Sequence, residues 1–557
     1  MILTKITSSL EKIFADETPL TYPELKKLSA LRGERVSVQY MFTYDAAGGE
    51  NMEWPIRVEP KITGSLAKYV HSVRDIYQVP VVKPVIWENG GIDDNYLRTK
   101  PGLFPDVLNP LQFGGKISIY RDVLSAIWIE FRIPEDAPAG EYDFKIEIDG
   151  ERFGKCENSF TLSVIGAALP KEDIYFTQWF HSDCLADYYR VPAWSEEHWR
   201  IVENFARVAA ENGINALLTP IFTPPLDTAV GGERTTVQLL EITKCQDKYT
   251  FDFTRLGRWV DMCDRVGIKY FEIAHLFTQW GAAHAPKIMA TENGEYKKIF
   301  GWDTDSTGPE YVGFLRQLLT ELLAFMKARG RDKDCLFHIS DEPHLEHLEK
   351  YRAAKNSIID ILDGYKVMDA LSDIELYKQG VVNNPIPATN HIKPFLEAKI
   401  PHLWTYYCVS QNVKVSNRFH AMPAWRNRSI GMQLFKFDIE GFLQWGYNFY
   451  NNQWSTDHIN PYLECGANLA FTAGDCFSVY PASDGTALES ARIIVFHEAL
   501  QDVKAMKLCA ALYGKDAVVA AIEGVLGDEL TFERCAYSSR EMLLVREVIN
   551  KMISEKV

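Results

Sequence analysis

Alternation of apolar and polar residues predicts a series of β-strands in the first third of the chain. The pattern occurs at 35–44, 54–60, 124–134, 140–150 and 151–165. The last two segments flank Asp149 and Gly150, a dipeptide typical of the turn of a β-hairpin. We therefore predict an N-terminal antiparallel β-sandwich over residues 1–168.

The pattern changes after Pro170, where short apolar segments alternate with segments of helical periodicity. The predicted strands lie at 174–180, 214–222, 268–277, 335–340, 366–371, 401–407, 430–437 and 468–475. A helix is predicted at about 488–512. This alternation favours a (β/α)8 TIM barrel over residues 169–512, with a doubly wound open sheet as the alternative. Residues 513–557 are predicted to form helices that pack on the barrel or the sandwich.

Length and charge narrow the class of protein. The 557 residues are too many for one compact core and indicate a multidomain protein. The net charge of −16, with no long run of Lys or Arg, argues against nucleic acid as a partner. The sequence has no apolar stretch of the roughly 18 residues that a membrane span needs, so we expect no membrane partner. Its N-terminus has no apolar segment typical of a signal peptide, which predicts a cytoplasmic protein.

The cysteines show no pattern of a metal or disulfide site, whereas the aromatic residues suit the binding of sugars. The ten cysteines are scattered and show no spacing typical of a zinc site or a disulfide framework, so we expect no metal and no cofactor. Aromatic residues make up 12% of the chain, and many Trp and Tyr residues stand beside His, Asp and Asn. Flat amphipathic rings next to polar groups suit the binding of sugar rings, although most aromatic residues in any protein belong to the core.

Polar and aromatic residues follow several of the predicted strands, at the end of a barrel where active sites lie. Any one of them, taken alone, is more often a helix cap or a loop-closing residue, whereas the set favours a site. The members of this set are Trp179, His181, Asp183, His275, Asp341, Glu342, Trp404, Tyr406, Asp475 and Tyr480.

The adjacent carboxylates of Asp341 and Glu342 are the candidate catalytic groups. About ten adjacent acidic pairs are expected by chance in this composition, so the dipeptide alone is weak. Neighbours on a regular strand point to opposite faces, and both can reach one ligand only if the backbone turns, which Pro343 allows. Two carboxylates roughly 5–10 Å apart are usual in glycosidases, and adjacent ones fit a reaction in which the sugar's own acetamido oxygen is the nucleophile.

Several segments together resemble glycoside hydrolase family 123, the β-N-acetylgalactosaminidases and related sandwich-plus-barrel proteins. They are the Asp341-Glu342 pair, Trp404 and Tyr406 in a W-x-Y pattern, WFHSDCLADYY at 179–189, HLFTQWGAAHAPKI at 275–288, FGWDT at 300–304, GFLQWGYNFY at 441–450 and GDCFSVYPASDG at 474–485. The resemblance covers most of the chain. It implies retention through an oxazolinium intermediate, with Asp341 orienting the acetamido nitrogen, Glu342 acting as general acid and then base, and Tyr406 bonding the acetamido carbonyl.

The remaining candidates are predicted to bind the sugar. Trp179, Trp302 and Trp445 could stack on it, although Trp445 is equally well explained as a core residue. Hydroxyl groups could be recognised by His181, Asp183, His275, Asp303 and Asp475, with Asp183 preferred for the axial O4. Trp404 and Tyr480 complete the set of expected substrate contacts.

These observations predict a retaining exo-β-N-acetylgalactosaminidase that acts on small glycans with a terminal N-acetylhexosamine. One alternative is a glycosidase for β-GlcNAc or for a sugar without an acetamido group, with Asp183 or Asp475 as the second carboxylate. Another is a non-catalytic carbohydrate-binding protein. Metal-dependent hydrolysis through His338, His344 and His347 is the weakest reading, because their spacing is not that of a known zinc motif. A homodimer is compatible with the sequence but not required by it.

Overall fold

The computed structural model of the protein describes residues 1–45, 54–86, 91–151 and 154–557. Its N-terminal part consists mainly of strands. These are β1 (Ile2–Ser8), β2 (Lys27–Arg32), β3 (Arg35–Tyr44), β4 (Ile56–Val58), β5 (Lys61–Thr63), β6 (Val70–Val81), β7 (Gly102–Pro110), β8 (Ile117–Ile119), β9 (Ser125–Arg132), β10 (Gly140–Asp149) and β11 (Lys155–Ala168).

Two sheets face each other in this part of the chain. One has the strand order β1-β3-β9-β6-β7 and the other β2-β11-β10-β5. Phe131 of the first sheet meets Phe144 and Phe160 of the second, with ring centroids 5.2 and 5.9 Å away. The predicted β-sandwich is confirmed. Among the described strands of the two sheets, β2 and β11 run parallel, which departs from the expected antiparallel pairing.

The predicted hairpin is formed by β10 and β11, whose last pair joins Asp149 to Lys155. Residues 152–153, which the sequence pattern assigned to the second strand, lie outside the described residues. Strands β1 and β2 were not predicted, because each is short and carries polar residues on both faces. Long-range pairing with β3 and β11 decides their conformation.

The rest of the chain contains strands β12 (Tyr175–Gln178), β13 (Ala216–Thr219), β14 (Glu241–Cys245), β15 (Lys248–Asp252), β16 (Tyr270–Ile273), β17 (Ile288–Glu292), β18 (Glu295–Phe300), β19 (Cys335–Phe337), β20 (Lys366–Ala370), β21 (Asn384–Ile386), β22 (Trp404–Tyr406), β23 (Gly441–Gln444), β24 (Val479–Pro481) and β25 (Ala487–Glu489). Its helices are α1 (Ser182–Tyr189), α2 (Glu196–Glu211), α3 (Thr254–Val266), α4 (Pro309–Ala328), α5 (Leu348–Asn356), α6 (Glu375–Lys378), α7 (Lys393–Glu397), α8 (Ala424–Arg428), α9 (Ile430–Lys436), α10 (Ala491–Tyr513), α11 (Lys515–Leu526) and α12 (Ser539–Ser554).

Eight parallel strands form a barrel, in the order β21-β20-β19-β16-β13-β12-β23-β22. The barrel closes between β21 and β22. There Ala388, just after β21, bridges Tyr406, and the Thr389 amide donates to the Tyr406 carbonyl at 2.9 Å. The predicted barrel is therefore confirmed, and the alternative of an open sheet is wrong.

Two of the eight predicted barrel strands are misplaced. Residues 430–437 form helix α9, and 468–475 form no strand. Every residue of 430–435 is buried, so the segment shows no polar face that would mark it as a helix. A Cβ at Gly431 would lie 2.5 Å from the Ala499 carbonyl of α10, which shows how closely the two helices pack. In the other segment, Asn468 and Leu469 have positive φ angles, which exclude a strand.

Ion pairs buried between the sandwich and the barrel join the two parts. Asp106 of β7 accepts hydrogen bonds from Arg492 of α10 at 2.8 and 2.9 Å and from the Tyr480 hydroxyl at 2.6 Å. All three residues are buried. Helix α12 contacts β2 and β11, and its Arg546 pairs with Glu34. The last helices thus pack on the sandwich as well as on α10.

None of the helices within the described ranges has both the length and the apolar character needed to cross a bilayer.

Candidate active site

A cavity with about 670 Å³ of empty space, part of it open to solvent, lies at the carboxyl end of the barrel strands. Concave sites of this kind, lined by aromatic and a few polar side chains, bind small molecules. Seven of the predicted site residues line it, and they come from segments far apart in the chain. They are Trp179, His181, Asp341, Glu342, Tyr406, Trp445 and Asp475.

The backbone turns at the acidic pair. Strand β19 ends at Phe337, and Glu342 has a φ of 42°, in the left-handed region that non-glycine residues rarely adopt. Such a conformation costs on the order of 1–3 kcal/mol and is common at functional sites. Because of this turn, both Asp341 and Glu342 line the cavity, which a regular strand would not allow.

Tyr406 lies beside Glu342, at the carboxyl end of β22. Its hydroxyl donates a hydrogen bond of 2.5 Å to the Glu342 carboxylate. Burial, and then the charge of Glu342, raise the pKa of the Tyr406 phenol well above its ordinary value. The phenol therefore keeps its proton and can act as a donor inside the cavity.

The environment of Asp341 disfavours its charged form. Burial raises the pKa of Asp341 well above its ordinary value, and the charge of Glu342 raises it further, whereas the nearby His338 lowers it. A nearby positive group therefore favours the ionised form of Asp341.

That positive group is His338, which lies between two buried carboxylates. Its Nε2 is 2.7 Å from Glu272 on β16, and its Nδ1 is 3.5 Å from Asp369 on β20. Burial lowers the pKa of His338, but the bonds and charges of Asp369 and Glu272 outweigh this effect and raise it to about 10. These two carboxylates therefore favour the imidazolium form of His338.

The same network positions the groups that line the cavity. Glu272 also accepts hydrogen bonds from the Trp179 indole at 2.8 Å and from Thr177 at 2.5 Å. Asp369 accepts from the backbone amide of Ile339 at 3.0 Å, just before the acidic pair. A continuous buried chain of contacts therefore connects Trp179 to the segment that carries Asp341 and Glu342.

His275, His338 and Asp369 also place three potential metal-ligand atoms within 4.8 Å of one another. The His275 ring stacks on that of His338, with centroids 4.5 Å apart. A proton on His338 accounts for the contacts of its ring with Glu272 and Asp369 without a metal ion.

Replacing His338 with glutamine is expected to lower the free energy of unfolding by about 3–5 kcal/mol, because two buried carboxylates lose their counter-ion. The wild type is expected to lose stability as the pH rises from about 6.5 to about 10, since the folded state holds this proton more tightly than the unfolded state. Thermal unfolding of both proteins at pH 6.5–9.5 checks this, with the exposed His402→Gln as control. A parallel pH dependence in wild type and variant, or metal bound stoichiometrically to the purified protein, would contradict the imidazolium.

Asp475 and Trp445 form a second pair in the cavity. The Trp445 indole donates to Asp475 at 2.9 Å, and the Gln444 amide donates to it at 3.2 Å. Burial raises the pKa of Asp475 to about 7, although the charge of Arg418 and these bonds act in the opposite direction. Trp445 is thus held in a fixed orientation at the cavity wall.

Six predicted substrate contacts lie outside the cavity lining. Asp183 forms a buried ion pair with Arg234, with bonds of 2.7 and 2.8 Å, and so has no free oxygen to offer a sugar without breaking that pair. His275 stacks behind the lining on His338, and Tyr480 bonds Asp106 at the border with the sandwich.

The other three of these six residues are Trp302, Asp303 and Trp404. The Trp302 indole donates to the Gly232 carbonyl at 3.0 Å, and Asp303 adjoins it in the same loop. Trp404 opens β22 and packs on Tyr175 with centroids 5.0 Å apart. Because residues two apart on a strand share a face, Trp404 lies one layer deeper in the barrel than Tyr406.

Some residues of the lining were not predicted, among them Asp227, Gln279, Trp280, Cys408 and Phe471. Gln279 and Trp280 were recognised as residues that follow the third predicted strand, but they were not chosen as substrate contacts. Asp227 comes eight residues after β13, too far to be found among the residues at a strand end. Phe471 was assigned to a strand that does not exist.

A closed barrel with an acidic pair and buried aromatic rings in a cavity at the carboxyl end of its strands is the arrangement of barrel enzymes that hydrolyse glycosides. The family model for the catalytic domain of glycoside hydrolase family 123 matches residues 179–509. The chain belongs to this family and is a glycoside hydrolase.

A solved structure agrees with this assignment of the fold. A family 123 glycoside hydrolase from Clostridium perfringens, whose structural analysis concerns glycolipid glycan hydrolysis, has a TM-score of 0.73 and 14% identity, over 100% of this chain and 98% of that one. A family 39 glycoside hydrolase from Bacteroides cellulosilyticus WH2 has a TM-score of 0.34 and 9% identity, over 88% and 83% of the two chains. No curated protein sequence matches the chain.

Proposed function

We propose that the protein is a retaining exo-β-N-acetylgalactosaminidase that removes terminal β-GalNAc from small glycans or glycoconjugate fragments. The observation that carries this proposal is the backbone turn at Glu342, which brings both adjacent carboxylates into one cavity beside the Tyr406 hydroxyl. Adjacent carboxylates suit a reaction in which the substrate supplies its own nucleophile.

In the proposed first step, the acetamido oxygen of the sugar attacks the anomeric carbon and the glycosidic bond breaks. Asp341 acts in its ionised form, which burial and the charge of Glu342 disfavour but which is no longer opposed by that charge while Glu342 carries a proton. It accepts the acetamido N–H and stabilises the positive charge of the oxazolinium ring that forms. Glu342 gives its proton to the leaving oxygen. In the second step Glu342 takes a proton from water, which attacks the same carbon from the side the leaving group left. The bond between this carbon and the acetamido oxygen breaks, which opens the oxazolinium ring and restores the acetamido group. Two inversions give overall retention.

The state of the two carboxylates considered as an alternative nucleophile, Asp183 and Asp475, supports the role of the acetamido group. Asp183 is paired with Arg234, and Asp475 is bonded by Trp445 and Gln444. Either would have to give up buried partners in order to act as a nucleophile. The adjacent pair needs no such rearrangement.

The shape of the cavity supports exo action. Its inner wall includes the nearly buried side chains of Trp179, Tyr406 and Leu443, whereas Trp280 at its mouth is 38% exposed. A terminal sugar would enter with its non-reducing end first, against the aromatic wall of Trp179 and Trp445. The Asp475 carboxylate, also in the lining, would then accept a hydroxyl of the sugar.

Hydrolysis of aryl β-GalNAc, β-GlcNAc and β-galactoside by the purified protein tests the proposal. We expect turnover of β-GalNAc above that of β-GlcNAc, and no turnover of β-galactoside, because the last has no acetamido group. Turnover of β-galactoside would overturn the substrate-assisted reaction. Turnover of β-GlcNAc alone would overturn the galacto selectivity, and binding of GalNAc without any turnover would indicate a carbohydrate-binding protein.

A further inference from the structure

Two tryptophans form an aromatic pair at the mouth of the cavity. The rings of Trp280 and Trp454 lie with centroids 5.3 Å apart and planes at 84°. Trp280 is 38% exposed and lines the same cavity as Glu342, whereas the tryptophan at the inner wall, Trp179, is 3% exposed. The indole of Trp280 therefore offers an apolar face, braced by a second indole, at the mouth of the cavity that contains the acidic pair.

The backbone fixes Trp280 relative to the acidic pair. Trp280 has a φ of 57°, and its amide donates to the Asp341 carbonyl at 2.9 Å. A Cβ on the next residue, Gly281, would lie 2.5 Å from the His347 ring, so only glycine fits there. The indole is therefore attached to the segment that carries Asp341 and Glu342.

Loops from three strands hold Trp454 against Trp280. Trp454 has a φ of 66°, and the hydroxyl of its neighbour Ser455 donates to the Asp227 carbonyl at 2.9 Å. The Asp227 amide in turn donates to Gln279 at 2.8 Å, next to Trp280. Such strained and cross-linked loops persist where the surrounding structure requires a defined geometry.

We propose that Trp280 and Trp454 bind a pyranose ring on the leaving-group side of the scissile bond. This inference rests on the proposed function. If Glu342 protonates the leaving oxygen, the group attached to that oxygen must leave the cavity next to Glu342, where Trp280 lines the mouth. The apolar C–H face of a hexose packs well on an indole, and the second indole at nearly a right angle closes one side.

A sugar-binding tryptophan pair restricts the preferred substrate to one with a second sugar ring. The preferred substrate carries GalNAc linked β to another sugar, so that the second ring occupies the tryptophan pair. A GalNAc linked to a small alkyl group would leave the pair empty and lose the corresponding binding energy in the transition state.

The test compares two substrates whose leaving groups are both alcohols, methyl β-GalNAc and a disaccharide with GalNAc linked β to galactose. The measured quantity is the ratio of kcat/KM for the disaccharide to kcat/KM for the methyl glycoside. Trp280→Ala is expected to lower this ratio at least tenfold, and Trp454→Ala about three- to tenfold, because each variant removes an indole face on which the second sugar ring would pack. Trp54→Ala is the matched control, because Trp54 is 80% exposed on the sandwich.

An unchanged ratio in Trp280→Ala, with equal losses on both substrates, overturns the inference and assigns Trp280 to positioning of the acidic pair. If this variant does not fold, Trp280→Phe is measured in the same way, and the smaller ring is expected to lower the ratio by a smaller factor. The inference also fails if Trp280→Phe folds and leaves the ratio unchanged. Hydrolysis of neither substrate by the wild type overturns the proposed function itself, an outcome distinct from an unchanged ratio in an active enzyme.

Discussion

Glu342→Gln is expected to lower kcat/KM for an alkyl β-N-acetylgalactosaminide by roughly 10²–10⁴-fold, the usual contribution of a general acid. With 2,4-dinitrophenyl as leaving group the expected loss is much smaller, because that group departs without a proton. Glutamine can still accept the hydrogen bond that Tyr406 donates to Glu342, so the change removes the proton with little change of shape. Steady-state kinetics with both substrates measure the difference.

Glu135→Gln serves as the control, since Glu135 forms an exposed ion pair with Lys171 far from the acidic pair. Equal losses with the alkyl and the dinitrophenyl substrate would remove Glu342 from the role of acid. A full loss only with the alkyl substrate would agree with proton donation to the leaving oxygen.

Asp341→Asn is expected to lower kcat by roughly 10²–10³-fold even with an activated leaving group, because the oxazolinium ring forms without its stabilising carboxylate. The same change is expected to stabilise the fold at neutral pH. Burial and the charge of Glu342 raise the pKa of Asp341, so the ionised carboxylate is less favourable in the folded than in the unfolded protein. Its replacement is expected to raise the free energy of unfolding by about 0.5–2 kcal/mol.

The pH dependence of the free energy of unfolding distinguishes the stabilisation expected for Asp341→Asn from that of an ordinary surface substitution. In the wild type the folded state binds the Asp341 proton more tightly than the unfolded state does. Stability should therefore fall as the pH rises above the ordinary range of an aspartate. Asp341→Asn should lack this part of the fall. A variant that is both fully active and no more stable than the wild type would exclude Asp341 from the mechanism and from the strained pair.

The sequence predicts the architecture well where local periodicity reflects burial. The βα alternation located the first five strands of the barrel, and the residues after β19 held the acidic pair. Helix α9 was mistaken for a strand because it is buried on all sides, so that no polar face reveals its period. Strand β23 was not predicted, because its four residues, which begin at Gly441, are too few to show a recognisable pattern.

In the candidate site, too, local sequence predicts some features, whereas others depend on distant contacts. Asp341 and Glu342 were recognisable from their place at a strand end, but their shared access to the cavity depends on one φ angle at Glu342 that a sequence does not display. Asp183 was chosen for its position after a strand, and its partner Arg234 lies 51 residues away. Whether a carboxylate is free or already paired is decided by such distant partners, so sequence identifies candidates better than it assigns their roles.

The ion pair between Asp106 and Arg492 limits how the barrel can be truncated or combined with another sandwich. A barrel cut free of the first 168 residues would keep Arg492 and Tyr480 but lose the carboxylate that both of them contact. An exchange of the sandwich between homologues would have to carry a matching residue at both positions. A truncated or recombined barrel would therefore need a substitute for the buried Asp106 carboxylate.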